Sequence, residues 1–177
     1  VSDRSPSCAI QLFPVTLEFS NRNIPHRFAD PILMTTIKNY LLISPCRNEA
    51  DYMRQTLDSV VAQSALPAKW VIVDDGSTDD TPRILEEYSA RYSWISVVTR
   101  LDRGHRAVGP GVIDAFYAGL ETVDIDQFQY LCKLDLDLEL PPDYFKSIIE
   151  QMESDPYLGN FSGKAYLREA DGTLVSE

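Results

Sequence analysis

Short apolar runs alternate with helical periodicity along the chain from about residue 39 onward. Four of these runs are mostly apolar at consecutive positions and are followed by polar or turn-forming residues, a pattern typical of strands that are covered on both faces. They are Tyr40–Ile43, Trp70–Val73, Ile95–Val98 and Tyr130–Leu134. The pattern therefore predicts four buried strands.

Between and after these strands, apolar side chains recur every three or four residues, as they do on one face of a helix. Pro82, Pro110 and the pair Pro141 and Pro142 suit the start of such helices, because the donor that proline lacks would be unpaired there in any case. Thr81 is the expected N-cap of the second helix. The apolar positions of the four predicted helices are Met53, Leu57, Val60 and Val61, then Ile84, Leu85, Tyr88 and Tyr92, then Ile113, Phe116, Tyr117 and Leu120, and last Phe145, Ile148, Ile149 and Met152.

Strands that alternate with helices of this length predict an α/β fold, in which a mostly parallel, Rossmann-like sheet is flanked by helices. A turn at Asp171–Gly172 predicts a hairpin formed by Phe161–Leu167 and Thr173–Val175. Residues 1–37 hold four prolines and no sustained periodicity, so we expect an extended or loop-rich lead-in outside the core. Residues 38–177 then form one domain, and we expect this domain to be incomplete on its C-terminal side.

Composition narrows the function classes. The 177 residues include 16 Lys plus Arg and 27 Asp plus Glu, and the formal net charge of −11 would repel a nucleic-acid backbone. The three cysteines lack metal-site or disulfide-framework spacing. Apolar stretches of about four residues are far shorter than the roughly 20 that a membrane helix needs. An anionic small ligand would need local arginines, a helix N-terminus or a metal ion to offset the charge of the protein.

Polar residues follow each predicted strand. In open α/β sheets, ligands bind at the carboxyl ends of the strands, so we expect these polar segments to converge on one edge of the sheet. The segments are Pro45–Glu49, Asp74–Asp79, Arg100–Arg106 and Asp135–Glu139.

The segment Asp74–Asp79 allows two interpretations. In one, Asp75–Gly76 makes the turn and Asp79 or Asp80 caps the next helix. In the other, a carboxylate at the strand end accepts hydrogen bonds from a nucleobase imide or a ribose hydroxyl. Both stay open at the level of this segment.

Strand alternation would place the carboxylates of Asp135 and Asp137 on the same side, with Leu136 facing the other way. Two like charges so placed require a cation, and paired carboxylates together with substrate phosphates commonly hold magnesium or manganese. The alternative is a solvated edge strand with alternating polar and apolar residues.

Three arginines, Arg100, Arg103 and Arg106, concentrate positive charge just before a predicted helix start in an otherwise acidic chain. This arrangement suits the binding of a diphosphate. The alternative is that the arginines form ion pairs with nearby aspartates such as Asp102.

Three motifs follow one another at the strand ends. They are PCRNE at Pro45–Glu49, VDDGSTD at Val73–Asp79 and LDLD at Leu134–Asp137, with PDYF at Pro142–Phe145 after the last. In this combination, over about residues 40–160, the chain resembles the family 2 glycosyltransferases with the GT-A fold. Leu138 departs from the family pattern, which often has an acidic residue at that position.

The resemblance implies roles for individual residues. Pro45, Cys46 and Glu49 would line the nucleotide pocket. Asp75 would bind the base, and Arg103 would lie near the base or the diphosphate.

The resemblance also implies a metal site. Asp135 and Asp137 match the DxD motif, in which Asp135 would contact both the nucleotide sugar and the metal. The final Asp137 would bind the divalent cation, Mg²⁺ or Mn²⁺, that bridges the diphosphate of the sugar donor. Such a cation acts as a Lewis acid on the leaving nucleoside diphosphate.

We therefore expect the donor-binding half of an inverting glycosyltransferase. Its donor would be a nucleoside-diphosphate sugar, with a UDP-sugar favoured, and its acceptor an unknown saccharide or a lipid-linked molecule. We expect a cytoplasmic location, with any membrane association made through parts not present in this chain. Two alternatives are a non-catalytic interaction module of the same fold and a nucleotidyltransferase, although the latter favours a glycine-rich loop where this chain has Ser44–Asn48.

Overall fold

The computed structural model of the chain describes residues 10–14, 39–102, 104, 110–169 and 171–176. In chain order, its elements are β1 (Ile10–Pro14), β2 (Tyr40–Cys46), α1 (Met53–Val61), β3 (Lys69–Asp74), α2 (Thr81–Arg91), β4 (Ile95–Thr99), α3 (Pro110–Leu120), β5 (Tyr130–Leu134), α4 (Tyr144–Ser154), β6 (Tyr166–Arg168) and β7 (Leu174–Ser176). A short 3-10 helix, Ile125–Gln127, precedes β5.

Five strands form the central sheet in the order β1-β5-β2-β3-β4. The strands β5, β2, β3 and β4 are parallel, and Ile43 of β2 lies opposite Lys133 of β5 on one side and Val71 of β3 on the other. Helices provide the crossover connections, as parallel strands require. The predicted α/β architecture with a mostly parallel sheet is confirmed.

The segment Ile10–Pro14 corrects one prediction. Residues 1–37 were expected to lie outside the core, but this segment pairs antiparallel with β5, with Ile10 opposite Leu134 and Pro14 opposite Tyr130. Five residues are too few to show a clear period, and proline is tolerated at an edge strand because it gives up no internal ladder bond. An edge strand of this kind forms because it pairs with its neighbour, and its own sequence pattern does not predict it.

The strand residues divide between two apolar clusters because successive side chains point to opposite faces of the sheet. Helices α1, α2 and α4 cover one face, where Tyr40, Leu42, Trp70 and Ile72 are buried. Helix α3 covers part of the other face, over Leu41, Ile43, Val71 and Val73. Burial on both faces explains why these strands are apolar at consecutive positions.

Helix α3 packs against the sheet through small residues together with two of the four large ones that marked it in the sequence, Phe116 and Leu120. Ala115 is buried, and a Cβ added to Gly119 would lie 2.8 Å from a methyl carbon of Val73. Ile113 and Tyr117 are 57% and 56% exposed. The helix was placed correctly, but its sheet-facing side follows from the close approach of its backbone to the sheet.

The predicted hairpin is confirmed in β6 and β7, although its first strand is shorter than expected and begins at Tyr166. Gly172 takes the left-handed backbone of the turn, with φ +87°. Thr81 also differs from its prediction, because it is the first residue of α2 and Asp80 precedes it as N-cap.

Candidate functional site

The carboxyl ends of β5, β2, β3 and β4 meet at one edge of the sheet, because these neighbouring strands are parallel. The four polar segments that follow them therefore start at the same edge, as the sequence predicts. The stretches around the first two segments, residues 46–50 and 74–81, are joined by hydrogen bonds, and we refer to them as the interlocked loops. Residues 135–140, which follow β5, are the acidic loop.

Asn48 links the interlocked loops in both directions. Its backbone N–H donates to Ser77 Oγ at 2.9 Å, and its side-chain Oδ1 accepts from the backbone N–H of Thr78 at 2.8 Å. Asn48 has φ +55°, a left-handed conformation that asparagine tolerates better than most residues. The asparagine of the first motif is thus matched to the Ser-Thr pair of the second.

The helix starts complete the link. The N–H of Glu49 donates to Thr81 Oγ1 at 3.0 Å, and the N–H of Ala50 donates to Asp79 Oδ2 at 3.1 Å. The other carboxylate oxygen of Asp79 accepts from the N–H of Thr81 at 3.0 Å. Asp79 therefore joins both loops, whereas the sequence suggested only a helix cap.

The ionisation of Asp79 reflects these bonds. Partial burial favours its protonated form, but the hydrogen bonds from Thr81 and Ala50 outweigh burial and lower the pKa of Asp79. The carboxylate is thus stabilised in its charged form by the assembled loops.

Asp74 and Asp75 are both buried at the end of β3. Asp74 Oδ1 accepts from the N–H of Ser77 at 2.9 Å, and its Oδ2 is buried with no hydrogen-bond partner among the described residues. Asp75 Oδ1 lies 2.9 Å from Arg100 Nη1, and this contact is an ion pair without hydrogen-bond alignment. Asp75, predicted to bind a base, is thus held at the strand end by an arginine.

Arg47 ties the segment after β4 to the interlocked loops. Its Nη1 donates to the carbonyl oxygen of Asp75 at 2.7 Å, and its Nη2 donates to Asp102 Oδ1 at 2.6 Å. Beneath this contact lies Gly76, with φ +75°, where an added Cβ would stand 2.5 Å from Asp102 Cα. Only glycine lets the two segments approach so closely.

The structure tests in part the alternative that the arginines after β4 form ion pairs with nearby aspartates. Arg100 pairs with Asp75, and Asp102 forms an ion pair with Arg47. Arg103 and Arg106 lie outside the described residues. The predicted role of Arg103 near the base or diphosphate therefore stays a prediction.

The residues expected to line the nucleotide pocket are placed differently from one another. Pro45 and Glu49 are half-buried, and the thiol of Cys46 belongs to the apolar cluster under α1. Burial, reinforced by the neighbouring carboxylates of Asp74 and Glu49, raises the pKa of Cys46 well above its ordinary value. Cys46 therefore carries a neutral, packed side chain, and its carbonyl oxygen accepts from the N–H of Asp75 at 2.9 Å.

The acidic loop corrects one geometric expectation. Asp135 and Asp137 were predicted to share one side of a strand, but β5 ends at Leu134 and the next residues form a turn. Lys133 is the last residue of β5 that pairs with β2, and Leu134 is the last that pairs with β1. The alternating burial nevertheless continues, with Leu136 buried between the two aspartates.

The two aspartates differ in their contacts. Asp135 Oδ1 pairs with Lys133 Nζ at 2.5 Å, and both side chains are largely buried. Asp137 is exposed, and no described residue forms a hydrogen bond or ion pair with its carboxylate. Glu139 accepts from Gln55 at 2.6 Å, so it is engaged by α1.

The donor set of the acidic loop fits a hard divalent cation, since carboxylate oxygens are the ligands that Mg²⁺ and Mn²⁺ prefer. Among the residues that the structure describes, no group of three or more His, Cys, Asp and Glu side chains is arranged to hold a metal. A cation held by Asp135 and Asp137 would need further oxygens, such as those of a phosphate, to complete its coordination shell.

The sequence assigned no individual role to Arg47 or Thr56, and it named Asp102 only as a candidate ion-pair partner of the nearby arginines. Arg47 and Asp102 carried little signal, because their partners lie 28 and 55 residues away in the chain. Thr56 carried one: it is a polar residue on the buried face of α1. No helix within the described ranges is both long and apolar enough to cross a membrane.

Comparison with known proteins shows which family the sequence matches. The sequence model of the family described as "Glycosyl transferase family 2" matches residues 41–166. Poly-beta-1,6-N-acetyl-D-glucosamine synthase from Staphylococcus epidermidis is 27% identical over 130 residues, which cover 73% of this chain and 29% of the relative. The chain spans less than a third of the length of the curated relatives it matches.

Two solved structures share the fold. The mannosyltransferase PcManGT from Pyrobaculum calidifontis, in complex with GDP-Man and Mn²⁺, is 22% identical with a TM-score of 0.55, over 69% of this chain and 34% of that protein. TarS 1-349 from S. aureus, in complex with UDP, is 23% identical with a TM-score of 0.53, over 66% of this chain and 32% of that protein. The Rossmann-like GT-A architecture is confirmed by these structures.

Proposed function

The chain belongs to glycosyl transferase family 2, and we propose that it forms the donor-binding part of an inverting glycosyltransferase that uses a nucleoside-diphosphate sugar. The observation that carries the proposal is the convergence of the interlocked loops and the acidic loop on one edge of the parallel sheet. That edge is where open α/β sheets bind ligands.

Within this proposal, the interlocked loops bind the nucleoside. Asp75 offers a carboxylate at the end of β3, and Arg47 and Arg100 hold it from its carbonyl oxygen and its side chain. A base with a donor imide suits such an acceptor. We favour a UDP-sugar, in keeping with the UDP complex of TarS 1-349 and with the interpretation of the sequence.

Asp137, assisted by Asp135, would hold a divalent cation, Mg²⁺ or Mn²⁺, which when bound stabilises the charge of the departing nucleoside diphosphate. The exposed carboxylate of Asp137, which forms no hydrogen bond or ion pair with a described residue, supports this role, as does the Mn²⁺ complex of PcManGT. Lys133 offsets the charge of Asp135, so the two aspartates do not act as equal ligands. The acceptor and the general base belong to the proposed activity of the whole protein and stay unassigned.

Calorimetric titration of UDP into the chain, with and without Mn²⁺, tests the proposal. Mn²⁺ should raise the affinity for UDP, and UDP should raise the affinity for Mn²⁺ by the same factor, because the coupling is reciprocal. Asp75→Ala should weaken UDP binding by about 1.5 to 3 kcal/mol, the usual loss for a hydrogen bond to a charged group.

Asp137→Asn should abolish the effect of Mn²⁺ while leaving metal-free UDP binding in place. Glu139→Gln is the matched control, since it removes the same charge from the same loop without touching Asp137. If the wild-type chain bound no UDP, donor binding would be refuted. An undiminished Mn²⁺ effect in Asp137→Asn would refute the metal site.

A further inference from the structure

A buried hydroxyl on α1 holds the acidic loop from behind. Thr56 is fully buried, and its Oγ1 accepts from the backbone N–H of Leu138 at 2.9 Å. The two residues are 82 positions apart in the chain. This bond therefore joins the first helix of the parallel unit directly to the residue after Asp137.

The place of Thr56 in α1 is unusual for a polar side chain. It shares the buried face with Met53, Leu57 and Val60, where an apolar residue would pack equally well. A buried hydroxyl without a hydrogen bond is unfavourable by a few kcal/mol, so such a residue is expected to have a dedicated partner. Here the described partner is a backbone amide of the acidic loop.

The bond acts on the peptide unit that links Asp137 to Leu138. Buried Leu136 precedes this unit and buried Leu140 follows it, so the main chain is anchored in the core on both sides of Asp137. The hydrogen bond from Leu138 to Thr56 then fixes the orientation of the peptide plane between those anchors. An exposed carboxylate is thus presented from a backbone that has little freedom.

We propose that Thr56 is a positioning residue for Asp137, acting through the Leu138 amide to orient this carboxylate toward a divalent cation. The inference rests on the proposed function, since it requires Asp137 to bind the cation. Groups that orient metal ligands from behind typically change metal affinity 10- to 100-fold when they are removed. Thr56 is the side chain in the described part of the chain that is placed to do this at the residue next to Asp137.

Gln63 provides a matched comparison. It is also buried and also bonds the segment after the acidic loop, through Pro141 O at 2.7 Å and the N–H of Phe145 at 3.2 Å. Its contacts lie four or more residues beyond Asp137. Gln63 therefore anchors the start of α4 and should not affect the orientation of Asp137.

The experiment compares Thr56→Val, Thr56→Ser and Gln63→Leu with the wild-type chain. UDP is titrated with and without Mn²⁺, and hydrogen exchange of the Leu138 amide is followed in the absence of metal. Thr56→Val keeps the shape but loses the acceptor, so the Mn²⁺-dependent gain in UDP affinity should fall about tenfold or more. Leu138 exchange should accelerate, and metal-free UDP affinity should stay unchanged.

Thr56→Ser keeps the hydroxyl and should retain most of the Mn²⁺ effect. Gln63→Leu should lower the urea midpoint yet leave the Mn²⁺ effect intact. A full Mn²⁺ effect in Thr56→Val, or an equal loss in Gln63→Leu, would overturn the inference. The absence of any Mn²⁺ effect in the wild-type chain would instead refute the proposed metal site, which keeps the two failures distinct.

Discussion

The interlocked loops and the acidic loop lie at the same edge of the sheet but are built in opposite ways. In the interlocked loops, side chains such as those of Asn48 and Asp79 accept hydrogen bonds from backbone N–H groups of the other loop. In the acidic loop, Asp137 makes no such bond with a described residue and is presented to solvent. The loops of one region bond mainly to each other, whereas the other region exposes a carboxylate that no described residue contacts.

The difference separates stability from binding. Substitutions in the interlocked loops should lower the stability of the whole fold, because they remove hydrogen bonds that join two segments distant in the chain. Substitutions at Asp137 should alter ligand binding with little change in stability. Three predictions test this contrast.

The largest expected effect is that of Gly76→Ala. The new Cβ would stand 2.5 Å from Asp102 Cα, and the alanine backbone would have to adopt φ +75°. The left-handed backbone contributes a loss of about 1–2 kcal/mol and the overlap a further loss of about 1–3 kcal/mol. Urea denaturation should show the sum, together with weaker UDP binding.

Gly104→Ala controls for the backbone conformation alone, because Gly104 has the same φ of +75° and no atom of the described residues lies within 4 Å of an added Cβ. Its loss of stability should be clearly smaller. Equal losses in the two variants would show that the close approach of Asp102 to Gly76 has no energetic importance.

Arg47→Met should have the next largest effect. The substitution keeps the apolar stem but removes the donors to Asp75 O and Asp102 Oδ1, and the Arg47 side chain is only 11% exposed. A loss of about 1–3 kcal/mol is expected in urea denaturation, and Asp102→Asn added to it should cause little further change.

Arg83→Met is the surface counterpart of this variant. Arg83 pairs with Asp80 while both side chains are more than half exposed, so the urea midpoint should stay near that of the wild-type chain. A loss as large as that of Arg47→Met would contradict the distinction between the Arg47 contacts, which join two segments, and an ordinary surface ion pair.

The smallest effect concerns pH. Hydrogen bonds lower the pKa of folded Asp79 against the opposing effect of burial, so its contribution to stability is present above the unfolded pKa of about 3.9. That contribution is lost as the pH falls through the folded pKa. The wild-type chain should therefore lose stability below about pH 4 more steeply than Asp79→Asn.

Asp137→Asn is the matched variant from the acidic loop. The free energy of unfolding of Asp137→Asn near neutral pH should stay within about 0.5 kcal/mol of that of the wild-type chain, whereas Asp79→Asn should lose more. If the two variants lost the same stability near neutral pH, the contrast between the two regions would not hold at these carboxylates.

Local patterns were sufficient for much of the architecture. The strand from Tyr130 to Leu134 was predicted with its observed bounds, and the apolar positions predicted for the first helix lie within α1, because period and turn chemistry act over neighbouring residues. The hairpin around Gly172 followed from the same kind of signal. The strand at Ile10–Pro14 was missed because its pairing partner lies more than a hundred residues away.

The candidate site divides along the same line. The motifs at the strand ends could be recognised one by one, and the rule for parallel sheets brought them to a common edge. Their contacts could not be predicted, since the Arg47–Asp102 pair spans 55 residues and the bond from Leu138 to Thr56 spans 82. Contacts between residues so far apart in the chain depend on how the helices pack against the sheet.

By itself, the sequence determined the alternation of strands and helices, the polar character of each strand end and the acidic motif, all of which are encoded within a few consecutive residues. Only the tertiary structure decided that Asp79 bridges two loops and that α3 approaches the sheet closely at Gly119. It also decided that Asp135 is paired with Lys133, whereas Asp137 has no side-chain partner among the described residues. The physical reason is that a side chain of Asp or Thr has the same local preferences wherever it occurs, whereas its partner is set by packing between segments that are distant in the chain.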